Sequence, residues 1–204
     1  MNFISIDSIS ENPNISLFID NEYIDCYDDC ASSSCLPDGI NSLLLDNAID
    51  IKLLDYIAVT IGPGSYTGVR VGISIAQGIV FSLSIPLVPI NTMDFLCSAA
   101  KTINSKEMII GFPAYDNNLF YCKIQDEKKS FEKLKSIDLF KGKNIFGIQL
   151  DKYKDIINYN EINFSSRLLG IYSIKNYNLL HTKDMSSITP VYLDKFTVDK
   201  DRMD

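Results

Sequence analysis

Residues 62–72 read Gly62-Pro63-Gly64-Ser65-Tyr66-Thr67-Gly68-Val69-Arg70-Val71-Gly72, and glycine-rich turns of this kind are where chains bind anions. The stretch follows Tyr56-Ile57-Ala58-Val59-Thr60-Ile61, a β-branched run that reads as a buried strand, and it opens a long apolar segment. Backbone N–H groups at such a strand–turn–helix junction point toward the helix N-terminus, where phosphate binds. Neither common phosphate pattern is complete. A P-loop requires a glycine and a lysine where Thr67 and Gly68 stand, and the dinucleotide pattern requires a glycine at Thr67. A second reading is packing, with Ser65 or Thr67 as the N-cap. Gly64, Gly68, Gly72 and Ala76 recur every fourth position, which places them on one helical face. Glycine inside a helix costs about 1 kcal/mol against alanine, so the repeat implies a compensating close approach of another backbone. The expectation is a bare groove open to a partner, flanked by Tyr66 and by Leu43 of a neighbouring helix. Arg70, one of three arginines, falls in the first helical turn, where the dipole disfavours a cation. An acidic or phosphate partner would account for it.

Asp7-Ser8, at the end of an opening strand, is the other pair with chemical potential. It reads either as a phosphate or magnesium contact or as an Asx turn closing a hairpin. His181 is the single histidine, so no two-histidine metal site exists and no Ser/His or Cys/His pair forms without it. Its neighbours, Leu179-Leu180-His181-Thr182-Lys183, suggest an ordinary helix end. Cys26, Cys30 and Cys35 cluster without a histidine or a zinc-like spacing, and five scattered cysteines suggest reduced thiols. No catalytic constellation and no metal site emerges.

The elements that would hold these residues form an α/β pattern. Met1–Asp7 and Asn14–Asp20 read as a hairpin, Glu22–Tyr27 as a third strand and Ser33–Ala48 as a helix with Ile40, Leu43, Leu44 and Asn47 at helical spacing. Asp55–Ile61, the signature helix, Pro86–Ile90 and a helix over Thr92–Ile103 follow. Two units are expected, 1–103 and 104–204. In the second, Glu107–Phe112 and Leu119–Ile124 pair around Asp116-Asn117-Asn118. Lys128–Lys143 gives little signal, Asn144–Gln149 reads as a strand, and Phe164, Leu168, Ile171 and Tyr172 mark a helix. No internal repeat stands out.

The stretch Gly62–Gly72 closely resembles the GPGSFTGxRIG signature of the TsaB (YeaZ) family, partners in making N6-threonylcarbamoyladenosine in tRNA. Ile4-Ser5-Ile6-Asp7-Ser8, the segment Gly72–Gly78, Ile85–Thr92 and Pro190-Val191-Tyr192-Leu193 extend the resemblance. It implies two ribonuclease H-like subdomains of the ASKHA (actin/Hsp70-like) superfamily, the second reduced, with mixed sheets flanked by helices. It also implies a non-catalytic subunit docking on a TsaD-like catalytic subunit, with a TsaE-like ATPase reached through the complex. ATP or ADP would sit only at the subunit junction, near Asp7, Ser8 and Arg70. Alone, the chain is expected to form a homodimer. Two departures stand out: the family's His-Ser pair before the first helix corresponds to Ala31 and Ser32, and its Asp-Ala-Arg to Pro113-Ala114-Tyr115. A different class, an ASKHA phosphotransferase or a glycoprotease-like enzyme, would need a second phosphate loop or a histidine pair, and neither is present.

The chain has 204 residues, 46% of them hydrophobic, and a net charge of −7. That is ample for a core and the wrong sign for gripping tRNA phosphates directly, so tRNA contact is expected only through partners. The N-terminus lacks a basic, apolar leader, and Val69–Ile90 is interrupted by Arg70, Gln77, Pro86 and Pro89. A cytoplasmic protein without a membrane span is the expectation.

Overall fold

The computed structural model describes residues 1–100, 107–114, 118–125 and 128–192. Strands β1 (Phe3–Asp7), β2 (Asn14–Ile19), β3 (Glu22–Tyr27), β4 (Tyr56–Gly62) and β5 (Leu87–Asn91) form one sheet in the order β3-β2-β1-β4-β5. The first three strands run antiparallel, whereas β4 pairs with β1 and β5 in parallel. Strands β6 (Glu107–Pro113), β7 (Asn118–Gln125), β8 (Lys128–Ser136), β9 (Asn144–Gly147) and β10 (Asn158–Glu161) form a second sheet in the order β10-β9-β6-β7-β8. Here too the first three are antiparallel, and β6-β9-β10 are parallel. Taken in chain order, each sheet repeats the pattern 3-2-1-4-5. The duplication invisible in the sequence is therefore present in the topology.

The halves differ in their crossovers. In the first, α1 (Leu36–Asp46) links β3 to β4, and α2 (Tyr66–Leu83) links β4 to β5. In the second, single 3-10 turns at Ile137–Phe140 and Asp151–Tyr153 occupy those places. Each half ends on a full helix, α3 (Thr92–Ala100) and α4 (Ser166–Leu180). Local chemistry sets the ends. Asn91 accepts from the N–H groups of Met93 (2.9 Å) and Asp94 (3.2 Å) to start α3. Ser84, at φ 57°, ends α2 with its N–H bonded to Phe81 and Val80 carbonyls.

Strand alternation divides the core. Phe3, Phe18, Tyr56, Ala58, Val88 and Ile90 face α3 and α4, which fill the space between the sheets with Met93, Phe95, Leu96 and Leu169. Ile4, Ile6, Leu17, Ile57 and Val59 face the opposite way, onto Leu36, Ile40, Leu43 and Leu44 of α1 and Ala76 and Val80 of α2. A smaller cluster around Tyr121, Ile145 and Leu150 covers the outer face of the second sheet. Two buried hydrogen bonds tie α4 to the first sheet: Ser16 Oγ to Ser166 Oγ at 2.7 Å and Tyr56 hydroxyl to Ser173 Oγ at 3.0 Å. The last helix of the second half thus roofs the sheet of the first.

Most expected elements appear within a residue or two of their predicted ends. Lys128–Lys143 is a correction, since it contains β8, and β10 was not anticipated. Among the described residues one helix, Tyr66–Leu83, is long and apolar enough to cross a membrane by length and composition. It packs against β4. The Asp116-Asn117 turn, Tyr115 and the 103/104 boundary lie outside the described residues.

Tyr56 separates ring packing from hydroxyl bonding at this seam. Tyr56→Phe loses one buried hydrogen bond and should cost about 1 kcal/mol, whereas Tyr56→Ala also empties the Phe3 stack and should cost roughly 3–5 kcal/mol. Equal losses in denaturant titrations would mean that the hydroxyl, rather than the ring, anchors α4.

Candidate functional site

The strand–turn–helix of the signature is built around the loop that leaves β1. Gly62 sits at φ +94°, and a side chain there would also meet the Val191 carbonyl oxygen at 2.8 Å. Ser65 is the N-cap of α2, its hydroxyl accepting from the Gly68 N–H at 3.2 Å, as one of the two expected caps. A Cβ at Gly68 would collide with the Ser8 carbonyl oxygen, and one at Gly72 with the Ser8 side chain. Ser8 is held in turn by Thr60 of β4, hydroxyl to hydroxyl at 3.3 Å. The glycine stripe is bare so that α2 can lie against the chain's own β1–β2 loop. This corrects the expected open groove: Gly68, Gly72 and Ala76 are buried, and Leu43 is a core residue at 2% exposure.

Asp7 is likewise internal. One carboxylate oxygen accepts from the N–H groups of Ile9 (3.0 Å) and Ser10 (3.2 Å), the other from Ser10 Oγ (2.5 Å) and Asn14 Nδ2 (3.2 Å). This is the Asx-turn alternative, with the carboxylate fully buried behind its four donors. Burial pushes the Asp7 carboxyl above its ordinary value, against the opposing pull of Ser10, Ile9 and Asn14. Arg70 also has an internal partner. Its Nε donates to the Tyr192 hydroxyl at 2.6 Å, and its guanidinium lies 4.0 Å from the Tyr66 ring centroid. Within the chain its partners are thus two tyrosines and no acid.

What remains open is a cleft of about 590 Å³ between the halves. The β1–β2 loop, the Pro63–Gly68 turn, Ala31–Ser33, Pro113-Ala114, Gln149 and Tyr192 line it. Ser8, Gly64, Ser65, Tyr66, Thr67 and Gly68 do meet here, as the anion reading required. Among its lining residues, however, Glu11 alone carries a formal charge. Among the described residues no three His, Cys, Asp or Glu side chains are grouped to hold a metal ion. His181 lies at the C-terminal end of α4, stacked on Tyr177, and does not line the cleft. A second, apolar groove of about 400 Å³ runs between the outer faces of α1 and α2, lined by Pro37, Ile40, Leu44, Leu45, Ile75 and Ile79 among others.

A family model described as "TsaD: tRNA N6-adenosine threonylcarbamoyltransferase" matches residues 31–175. Two related sequences carry the name tRNA threonylcarbamoyladenosine biosynthesis protein TsaB. The one from Haemophilus influenzae is 32% identical over 90 residues, 44% of this chain and 38% of that protein. The one from Buchnera aphidicola of Acyrthosiphon pisum is 26% identical over 132 residues, 62% and 59% of the two chains. The chain belongs to this family, on its TsaB (YeaZ) branch. A tRNA N6-adenosine threonylcarbamoyltransferase of Ligilactobacillus salivarius is 41% identical over 81 residues, 39% of this chain and 21% of that one. YeaZ from Pseudomonas aeruginosa has the same ASKHA-like fold, with a TM-score of 0.70 at 15% identity over 94% of this chain and 99% of its own. The matched stretches span between 34% and 59% of the TsaB relatives' own lengths.

Within the TsaB branch, the motif at Pro190–Tyr192 acquires a physical reason. The tail leaves α4, bridges Thr182 to Leu87, and accepts from Gln77 Nε2 at the Met185 and Ile188 carbonyls (3.2 and 3.4 Å). It then pairs the Val191 N–H with the Ile61 carbonyl at 2.7 Å and ends with Tyr192 under Arg70. It is a strap along α2. Gln77 was missed because a lone polar residue in an apolar helix gives no signal of its partner. Ala31 and Pro113, which stand where the resemblance implies a histidine and an aspartate, both line the cleft, so each departure puts a non-ionisable residue there.

Two measurements follow from this geometry. Gly72→Ala should destabilise the isolated protein by about 1–3 kcal/mol, lowering its melting temperature by several degrees. Gly78→Ala, on the same helix with nothing near its Cβ, should stabilise it by up to about 1 kcal/mol. A neutral Gly72→Ala would return the stripe to the surface. For Asp7, a folded value raised above the unfolded one means stability that is complete below the ordinary carboxylate range and fades as pH rises through the raised value. Asp7→Asn lacks that loss. The wild type's lead in melting temperature over Asp7→Asn should shrink from about pH 4 toward neutrality, and a lead that grew instead would show the four hydrogen bonds outweighing burial.

Proposed function

We propose that this chain is a non-catalytic subunit in the formation of N6-threonylcarbamoyladenosine in tRNA, docking on a TsaD-like catalytic subunit through the α1–α2 groove. The groove is the observation that carries the reading. Leu45, at 69% exposure, and the half-buried Ile75 and Ile79 leave a continuous apolar strip on two adjacent helices, and such strips are where partners dock. The occupant follows from kinship. The catalytic enzymes of the pathway are similar to this chain in sequence, so a partner of that class offers a homologous helix pair. Two such pairs bury their apolar faces together about a pseudo-two-fold axis, as in an isologous dimer. Without the partner, the same surface closes on a second copy of this chain.

The non-catalytic part of the reading is supported by the cleft. Triphosphates are held by lysine, arginine and magnesium, and among the described lining residues Glu11 alone is charged. ATP or ADP therefore belongs at the subunit junction, with the partner supplying the cations. A net charge of −7 likewise leaves tRNA phosphates to the partners, and a TsaE-like ATPase joins through the assembled complex.

Leu45→Asp tests the docking surface, because this side chain lies outside the core. It should leave the melting temperature of the isolated chain unchanged and weaken capture of a purified TsaD-like subunit by at least about tenfold, or 1.4 kcal/mol. It should also convert a homodimer to monomer in light scattering. Unchanged capture would overturn the groove, and ATP turnover by the isolated wild type would overturn the non-catalytic reading.

A further inference from the structure

The α1–α2 groove is apolar except at one position. Pro37, Asn41 and Leu45 line it at four-residue spacing on α1, so they form one row across from Ile75 and Ile79 of α2. Asn41 is exposed in the middle of that row and carries the one polar side chain among the described lining residues. No hydrogen bond among the described residues reaches its amide. The other asparagine of this segment, Asn47, is satisfied inside the chain, its Nδ2 donating to Asp25 Oδ2 at 3.0 Å and to the Leu43 carbonyl at 2.9 Å. A helix laid along the Asn41 row strips water from that amide, which must then find a hydrogen-bonding group or weaken the contact. The surroundings carry one sign. Residues 1–100 hold twelve acidic residues against two cations, Lys52 and Arg70, a formal charge of −10. Asp38 follows Pro37, and Asp50 lies between the lining residues Ile49 and Ile51; both acids are exposed. Arg70 is engaged by Tyr66 and Tyr192 in the first turn of α2, and α4, with Arg167 and Lys175, packs on the opposite face of the sheet.

We propose that the groove selects its occupant, which rests on the groove being the docking surface argued above. The favoured occupant is a helix pair with lysine or arginine at its rim and a hydrogen-bonding side chain (amide, hydroxyl or carboxylate) against Asn41. The disfavoured one is a second copy of this chain. Self-association brings two strongly acidic surfaces face to face, and like charge opposes it. In an isologous pair Asn41 meets its own copy only on the two-fold axis. Anywhere else its amide is buried against an apolar row. A basic partner with a matching polar group avoids both costs, and specificity is the difference between the two affinities. A lone asparagine in the apolar seam of a coiled coil acts in the same way, fixing register and partner number while lowering stability. The isolated chain therefore self-associates weakly through a surface that a basic partner occupies tightly.

The test uses the full chain and a purified TsaD-like subunit, with sedimentation for self-association and capture for the contact between the two. Raising sodium chloride from about 20 mM to about 500 mM shortens the Debye length from roughly 20 Å to roughly 4 Å. Over that range self-association should tighten about threefold or more, and capture should weaken by a similar factor. Asn41→Leu sits at an exposed helix position where leucine raises helix propensity, so the variant stays folded. It should tighten self-association and weaken capture, each by about fivefold or more. Salt responses of the same sign would overturn the proposal, as would an Asn41→Leu chain whose two affinities keep their wild-type ratio. A chain that stays monomeric in high salt, both as wild type and as Asn41→Leu, would do so too. Leu45→Asp tells the two failures apart. If capture survives it, the groove is not the docking surface and the selection falls with it. If capture is lost while the ratio in Asn41→Leu holds, the selection alone is wrong.

Discussion

The approach of α2 to the loop leaving β1 is the constraint on which the rest of this molecule depends. A helix axis normally stands off a sheet by the length of the side chains between them. Here Gly68 and Gly72 carry none where α2 faces the loop, so the Ser8 carbonyl and hydroxyl occupy the space that their Cβ atoms would fill. Thr60 completes the seam from the neighbouring strand. Two hydroxyl-bearing residues are buried there, Ser8 and Thr60, and they satisfy each other, in keeping with the rule that buried polar groups find partners, while the exposed Ser65 caps the helix. The Asp7 carboxylate holds the same loop from behind through four hydrogen bonds. Glycines, cap and Asx turn are one device: they fix where β1, β4 and α2 meet, and hence the wall of the cleft.

The second half is reduced in its crossovers but not in its duties. It repeats the strand order of the first sheet while replacing both internal helices by 3-10 turns. Its terminal helix instead covers the first sheet, and its tail runs along α2 to the signature. The tail contributes backbone hydrogen bonds, a Tyr66–Arg70–Tyr192 cluster and the apolar side chains of Met185 and Ile188, which pack against the core. Arg70, a cation badly placed for the helix dipole, is thereby compensated by a hydroxyl and two rings.

How far this was legible depends on which physical signal each element carries. Strands β1 to β5 and helices α1 to α3 announce themselves through apolar periodicity and β-branched runs; the strand limits are readable to within two residues, whereas α1 begins three residues after its expected start and the expected end of α3 lies outside the described residues. Lys128–Lys143 was not, because in a strand dominated by lysine and serine the pairing with β7 decides the conformation and propensity does not. The short β10, Asn-Tyr-Asn-Glu, exists only through parallel pairing with β9. At the site, the residue types were legible and their direction was not. A repeat of glycines states that something approaches closely, but an approaching backbone looks the same from the sequence whether it belongs to this chain or another. Arg70 illustrates the same limit, since its partner lies 122 residues away in the chain. The fold-level duplication was hidden because it resides in strand order, which side chains specify only collectively.

Turning the glycine face inward also decides what the outer face is for. A helix with small residues toward its own sheet leaves its larger apolar residues at the flank, and on α2 these are Ile75 and Ile79. They meet Leu44 and Leu45 of α1, whose inward positions are already filled by Leu36, Ile40 and Leu43. Seating α2 deep in the fold brings the α1–α2 pair to a common level, so that one continuous apolar groove forms instead of two separated ridges. The packing that turns the signature glycines inward thus leaves the neighbouring apolar surface exposed. The same seating carries the α2 N-terminus to the floor of the cleft, while the walls opposite it carry Ala31, Ser32, Pro113 and Ala114. A cleft with oriented N–H groups but no lysine or arginine among its described lining residues holds an anion only weakly, unless further positive charge is contributed. Groove and cleft are therefore the two places where the described residues leave apolar side chains and oriented N–H groups open, and α2 borders both.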